Sequence, residues 1–272
     1  METIQISNPQ KILYPQDKIT KLAVIEYYIA VAPLMMPYVA KRLLTVIRCH
    51  ENIAHCFFKK HPTTDRHMVK TKTVNKEIYF YLETTTQLIY QVQMGTLEFH
   101  VGSSQVQTFH RPDMMIFDLD PDDKVTLKQL RDAVRKLKSL LEQLNLTAYL
   151  KTSGGKGYHI VVPFKETMNW QKFHDFAERI AQLAEKTWPQ IFTTNIRKAE
   201  RKEKIFIDYL RNSKNASCVA PYSLRARNGA TISMPIRWQD LDTIKPNGVN
   251  IKNYKKYISD AWSDFHFVNF YN

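Results

Sequence analysis

Three acids sit in apolar surroundings where a carboxylate is out of place. "MMIFDLDPDD" at 114–123 sets Asp118 and Asp120 two residues apart in a run that otherwise reads as a β-strand. Strand side chains alternate between faces, so Met115, Phe117 and Leu119 point into a core while Asp118 and Asp120 share the opposite face. Neighbouring carboxylates repel unless something positive lies between them, and a divalent cation serves well. Asp122 and Asp123 read as turn and pre-helix residues. Asp208 lies in a second apolar strand, "KIFIDYL", on one face with Phe206 and Leu210. If the two strands are neighbours, three carboxylates converge, an arrangement suited to two Mg²⁺ or Mn²⁺ ions and in-line phosphoryl or nucleotidyl transfer. A pair between Asp208 and Arg211 is the alternative use of that acid.

"KTSGGKGYHIVVPF" at 151–164 gathers three of the chain's 7 glycines, Gly154, Gly155 and Gly157, into a turn. Consecutive amides in such a turn can form an anion nest, with Ser153, Lys156 and His159 as further donors. The spacing is not that of a Walker A loop, and a hairpin alone would explain the glycines. Residues 196–227 carry nine basic residues against three acids. Arg211, Arg225 and Arg227, the last two alternating along an expected strand, suit a triphosphate, because guanidinium grips phosphate with two hydrogen bonds. A solvated basic face explains residues 197–204 equally well. In "HCFFKKHPTTDRHMVKTK", Phe57 and Phe58 stand among Lys59, Lys60, Arg66, Lys70 and Lys72, a mixture that can stack bases and hold phosphates. One of the two rings is expected in the core, since strand neighbours face opposite ways.

Residues 20–32 read as a helix with Thr20 as N-cap and Pro33 as its end. Strands follow in "LLTVIRC", "HCFFKK", "EIYFYLE", "TLEFHVG" and "MMIFDLD". A capping box, Thr126 with Gln129, opens an amphipathic helix over 126–144, and a second helix spans 169–187. The order strand, helix, two hairpin strands, helix, strand predicts an α+β sheet covered on one face by two helices. A smaller unit is expected over about residues 1–85, the catalytic part over 86–245 and a tail over 246–272. The 272 residues carry a formal charge of +13, which favours polyanions such as nucleic acid. "CHENIAHC" resembles a set of soft metal ligands but lacks the paired spacing of zinc sites, so Cys49, Cys56 and Cys218 are read as small core residues rather than a disulfide framework. No apolar run of about 18 residues and no leader pattern is seen, so the chain is expected to be soluble and intracellular.

"MIFDLDP", "KTSGGKGYHIVVP", "IFIDYLRN" and "VAPYSLRAR", in this order, resemble the polymerase module of bacterial ligase D, in the archaeo-eukaryotic primase superfamily. The likeness extends through "KILYPQDKITK", "CFFKKH" and "VQMGTLEFH". It implies a primase-like fold, an RRM-like catalytic sheet with a small N-terminal unit. It implies template-directed extension of a primer 3′-OH with NTPs or dNTPs by a two-metal mechanism, often favouring ribonucleotides. It further implies gap filling and end remodelling in non-homologous end joining, alongside Ku and a DNA ligase, in the cytoplasm at the nucleoid. By position, Asp118, Asp120 and Asp208 would hold the metals, and His100, Ser153, Lys156, His159, Arg211 and Arg225 would handle the nucleotide. Asn8, Lys11 and Lys21 would grip a 5′-phosphate on DNA, with Phe57, Phe58 and Lys59 near the template. One departure is visible: Val101-Gly102 follows His100, where relatives often have Pro-Trp. Three rival readings are a haloacid-dehalogenase-type phosphatase with Asp118 as nucleophile, a plain nucleic-acid binder and a metal-dependent nuclease.

Overall fold

A computed structural model describes residues 4–62 and 68–265. Arg66 and residues 266–272 of the expected tail lie outside the described residues. In chain order the elements are β1 (Ile12–Tyr14), β2 (Ile19–Thr20), α1 (Lys21–Val39), β3 (Arg42–Cys49), β4 (Cys56–Lys59), β5 (Lys70–Val74), β6 (Glu77–Tyr81), α2 (Thr85–Gln93) and β7 (Thr96–Gln105). There follow β8 (Met114–Pro121), α3 (Leu127–Gln143), β9 (Tyr149–Thr152), β10 (Tyr158–Pro163), α4 (Trp170–Thr187), β11 (Phe192–Thr193), β12 (Ile205–Asp208), β13 (Cys218–Val219) and β14 (Pro235–Ile236).

The chain divides into two units, and it passes between them several times. The first comprises Met1–Gln107, Ser217–Ser233 and Val249–Asp260. The second comprises Thr108–Ala216, Met234–Gly248 and Ala261–Asn272. The expected boundaries near residues 85 and 245 differ from this division because pairing reaches across the sequence. β7 and the later β13 join the first unit's sheet, ordered β13-β7-β3-β4, while β14 pairs with β9 in the second.

In the first unit, α1 is capped by the Thr20 hydroxyl, which accepts from the Ala23 amide. Contrary to expectation it runs through Pro33 and Pro37 to Val39. Burial outweighs the lost backbone bonds: Val31, Ala32, Met35, Tyr38 and Val39 are all buried. Tyr27 and Tyr28 donate to the carbonyls of Tyr222 and Leu97. By length and composition α1 could cross a membrane, but half of its most apolar window is buried within the protein. β5 and α2 were not foreseen; a basic five-residue strand and a nine-residue helix carry little periodic signal. Arg225 and Arg227 lie in a tight turn after an isolated bridge at Leu224, not in a strand.

Cys49 and Cys56 correct the reading of the cysteines. They are register partners across the β3–β4 hairpin, with Cα atoms 4.0 Å apart, and they form a disulfide. Cys218 is buried and lies outside this disulfide.

The second unit holds a six-stranded sheet, ordered β11-β12-β8-β10-β9-β14, in which only β11–β12 is parallel. Met114 to Phe117 of β8 are buried without interruption, as suits a central strand covered on both faces. The foreseen helices are present. α3 has the full Thr126–Gln129 capping box, and the Asn169 side chain accepts from Lys172 N to start α4.

Candidate active site

The register of the second sheet lines up one row of polar side chains. Lys151 on β9 stands opposite His159 on β10, His159 opposite Asp118 on β8, and Asp118 opposite Asp208 on β12. Directly opposed residues project from the same face. Lys151 Nζ is 2.9 Å from His159 Nδ1, and His159 Nε2 is 3.3 Å from Asp118 Oδ1. A lysine ammonium only donates, so His159 accepts at Nδ1 and carries its proton on Nε2, facing the carboxylate. At the far end Arg211 Nε lies 3.0 Å from Asp208 Oδ2. The two uses weighed for Asp208 therefore coexist: it pairs with Arg211 and faces Asp118.

The electrostatics differ along the row. Burial alone would raise the Asp118 carboxyl, but His159, Arg211 and Lys151 outweigh it and hold it at about 2. Burial pushes Asp208 up; Arg211 pulls it back, and the Asp118 charge pushes it further, leaving it above the ordinary aspartate value. Asp120 is one pleat along, opposite Phe206. Its Oδ2 accepts from Arg201 Nη1 at 2.9 Å, and the Arg201 guanidinium lies 3.8 Å above the Phe206 ring. Two of the three acids thus face one another while the third is turned to an arginine. Among the described residues no group of three or more His, Cys, Asp or Glu side chains is gathered closely enough to hold a metal ion.

The glycine turn has a different role from an anion nest. The amides of Gly155 and Gly157 donate to Ser153 Oγ, that of Ser153 to the Gly157 carbonyl, and that of Gly154 to the Pro246 carbonyl. Those donors are spent inside the protein, and the buried Ser153 hydroxyl organises the turn. Gly154 needs its positive φ of 66°. At Gly157 a Cβ would stand 1.9 Å from the Leu119 carbonyl oxygen, so only glycine lets this turn close onto β8. Lys156 is exposed at the tip and pairs with Asp123.

Sequence reasoning missed Asn212. Its fully buried amide donates to the Ile116 carbonyl at 2.7 Å and its oxygen accepts from the Ile116 amide at 2.7 Å. It replaces a strand neighbour for β8 just beyond Asp208. Asn212→Ala would strand both groups and should lower stability by about 3 kcal/mol in urea unfolding; a loss under about 0.5 kcal/mol would contradict this role.

The first unit holds the remaining foreseen residues in two groups. His100 Nε2 lies 2.9 Å from Glu98 Oε2 on β7, and Arg225 Nε donates to the same oxygen at 3.0 Å. Burial would raise Glu98, but His100, Arg225 and the Ala226 amide hold it below its ordinary value. The stability this supplies is complete above about pH 4.3 and is lost as pH falls through the lower folded value. Melting temperatures measured down to about pH 2 should decline, with a shallower acid limb in Glu98→Gln; an identical limb would contradict this.

In the second group, the Asn8 carbonyl accepts from Lys11 N at 3.0 Å, and Lys21 N donates to the Lys11 carbonyl at 2.8 Å. Lys21 Nζ donates to the Ser7 carbonyl, and Lys11 Nζ to that of His50. Burial, and then the Lys11 charge, lower the Lys21 ammonium below its ordinary value. Phe57 and Phe58 are 40% and 68% exposed, so neither fills the core. β4 is the edge strand of its sheet, and both rings lie at the surface. Lys59, in contrast, is buried and adds no cation to that surface.

The model of the LigD primase-polymerase domain matches residues 20–266. The chain belongs to this family. A multifunctional non-homologous end joining protein LigD of Pseudomonas aeruginosa is 32% identical over 96% of this chain and 33% of its own length. Its counterpart in Mycolicibacterium smegmatis is 31% identical over 88% of this chain and 32% of its own length. The chain spans about a third of the length of these curated relatives. The polymerase domain from Mycobacterium tuberculosis ligase D, solved in complex with DNA, shares the fold at a TM-score of 0.87 with 27% identity, covering 96% of each chain. The α+β primase-like fold and the resemblance read from the motifs are therefore correct. This LigD primase-polymerase domain is a nucleotidyltransferase-type enzyme domain. Within it Lys151, Arg201 and Glu98 touch foreseen residues without having been foreseen themselves, and Asn212 bonds the Ile116 backbone of the strand that carries Asp118.

Proposed function

We propose that this domain extends a primer 3′-OH with NTPs or dNTPs on a template, filling gaps and remodelling broken ends in non-homologous end joining. The observation that carries the reading is the row Lys151–His159–Asp118–Asp208–Arg211 across the second unit's sheet, with Asp120 one pleat along. Facing carboxylates in register, one of them pushed up by burial and further by its neighbour's charge, suit a hard divalent cation, so Asp118, Asp120 and Asp208 would hold Mn²⁺ or Mg²⁺. When bound, such ions supply activation of the 3′-OH and neutralise the departing pyrophosphate.

The chain's own residues do the rest. His159 fixes the Asp118 carboxylate through Nε2–H, and Lys151 fixes the tautomer of His159. Arg211, Lys156, His100 and Arg225 supply positive charge and donors to the nucleotide, with Ser153 shaping the turn that carries Lys156. The paired cations Lys11 and Lys21 beside Asn8 suit a 5′-phosphate on DNA, and the exposed rings of Phe57 and Phe58 suit stacking on template bases. Ku and a DNA ligase are the proposed partners, in the cytoplasm at the nucleoid. Family membership favours this reading over a phosphatase, a nuclease or a plain binder.

His159→Ala tests it. The variant should use nucleotide on the order of 10²-fold less efficiently while its affinity for gapped DNA stays within a factor of about two. Weakened DNA binding with unchanged nucleotide use would return the 151–164 segment to a purely structural hairpin.

A further inference from the structure

Glu98 is 3% exposed and lies in the "VQMGTLEFH" stretch, where the sequence assigned a role to His100 alone. A buried carboxylate demands partners, and the ones it has are informative. Oε2 receives His100 Nε2 at 2.9 Å and Arg225 Nε at 3.0 Å, while Oε1 receives the Ala226 amide at 2.7 Å. Glu98 and His100 are two apart on β7 and so share a face. Arg225 and Ala226 come from the turn that follows β13, more than 120 residues later in the chain. Two residues assigned to the nucleotide, from distant parts of the sequence, thus meet on one acid.

The bonding pattern sets what each can do. An ionised carboxylate only accepts, so His100 must present its Nε2–H to Glu98, and this fixes both the tautomer and the ring orientation. Arg225 is held through Nε, which fixes the plane of its guanidinium. The Ala226 bond, with Tyr14 Oη donating to the Arg225 carbonyl at 3.0 Å, anchors the backbone on which Arg225 rides. The surrounding charges and ionisable groups are Arg225, Arg227, Asp17, Tyr14 and Tyr28. Oε2 is thus shared by a strand residue and a turn residue, while Oε1 holds the turn's backbone.

We propose that Glu98 is a positioning residue for nucleotide binding, a shared acceptor that presets His100 and Arg225 before the triphosphate arrives. The inference rests on the nucleotide role given above to His100 and Arg225. Preorganisation of this kind acts on binding, because it removes the cost of ordering two side chains when the ligand enters.

The test compares Glu98→Gln, His100→Ala, Arg225→Ala and the double variant Glu98→Gln/His100→Ala in primer extension on gapped DNA, with far-UV circular dichroism and melting as a fold check. Glutamine keeps the shape but replaces one acceptor oxygen and the charge. The expected result is a KM for NTP raised about tenfold in Glu98→Gln with kcat within a factor of about two. The double variant should be little worse than His100→Ala alone, because the two act as a unit. If Glu98→Gln does not fold, Glu98→Asp, which keeps the charge on a shorter arm, should show the same rise in KM. A lowered melting temperature with unchanged KM would overturn the proposal and leave Glu98 a structural acid. If KM stays at the wild-type value in His100→Ala and Arg225→Ala as well, the nucleotide role itself fails, and the positioning role with it.

Discussion

Asp118→Ala and Asp208→Ala should each reduce primer extension by at least a factor on the order of 10²–10³, with gapped-DNA affinity close to wild type. The expectation follows from the row across the second sheet. Asp118 is held ionised by His159, Arg211 and Lys151, and Asp208 is held opposite it. Removing either breaks the facing pair and takes away one of the three carboxylates proposed to offset the divalent charge. It also removes the carboxylate that pairs with Arg211 when Asp208 is cut back, or the one that faces His159 Nε2 when Asp118 is. DNA contact depends on surfaces of the first unit in this account, so anisotropy with labelled gapped DNA should hardly move. Extension by either variant near the wild-type rate would contradict the assignment of these acids.

Gly157→Ala should be the most damaging single methyl in the chain. The added Cβ would lie 1.9 Å from the Leu119 carbonyl oxygen, far inside contact distance, and the obstacle is backbone that β10 already pairs with. The turn cannot slide, because Ser153 Oγ holds the amides of Gly155 and Gly157 and Gly154 is tied to the Pro246 carbonyl. The cost should reach about 3 kcal/mol in urea unfolding, at the upper end for overpacking. Activity should fall with it, since the displaced segment of β8 runs between Asp118 and Asp120. Gly154→Ala gives the contrast, because there the penalty comes only from a positive φ and should be about 1 kcal/mol. Equal losses at the two glycines would contradict the close-approach argument.

These two cases mark what the sequence made legible. The face shared by Asp118 and Asp120 followed from period-two alternation, whereas the placement of Asp208 beside them stayed conditional on strand adjacency and was implied by the motif resemblance alone. The register that sets Asp208 opposite Asp118 did not, because pairing between β8 and β12 joins residues about ninety apart and alternation fixes only the face. Lys151 carried the same signal as Asp208, a charge within an apolar strand, and only its partner was hidden. Arg201 and Asn212 were illegible for another reason: each acts on a carbonyl or carboxylate brought up by the fold rather than by spacing. The helix through Pro33, the disulfide joining Cys49 to Cys56 and the two exposed phenylalanines all turn on tertiary context that overrides local preference. For the glycine turn the plain hairpin was weighed against an anion nest, and the amides of Ser153, Gly154, Gly155 and Gly157 are consumed within the protein as the hairpin requires.

The most direct measurement is extension of a labelled primer on gapped duplex DNA bearing a 5′-phosphate, with Mn²⁺ and one NTP or dNTP at a time. Addition of the nucleotide complementary to the template is expected, and none with the metal chelated. No incorporation of any nucleotide, with the DNA still bound, would contradict it and leave a binding module.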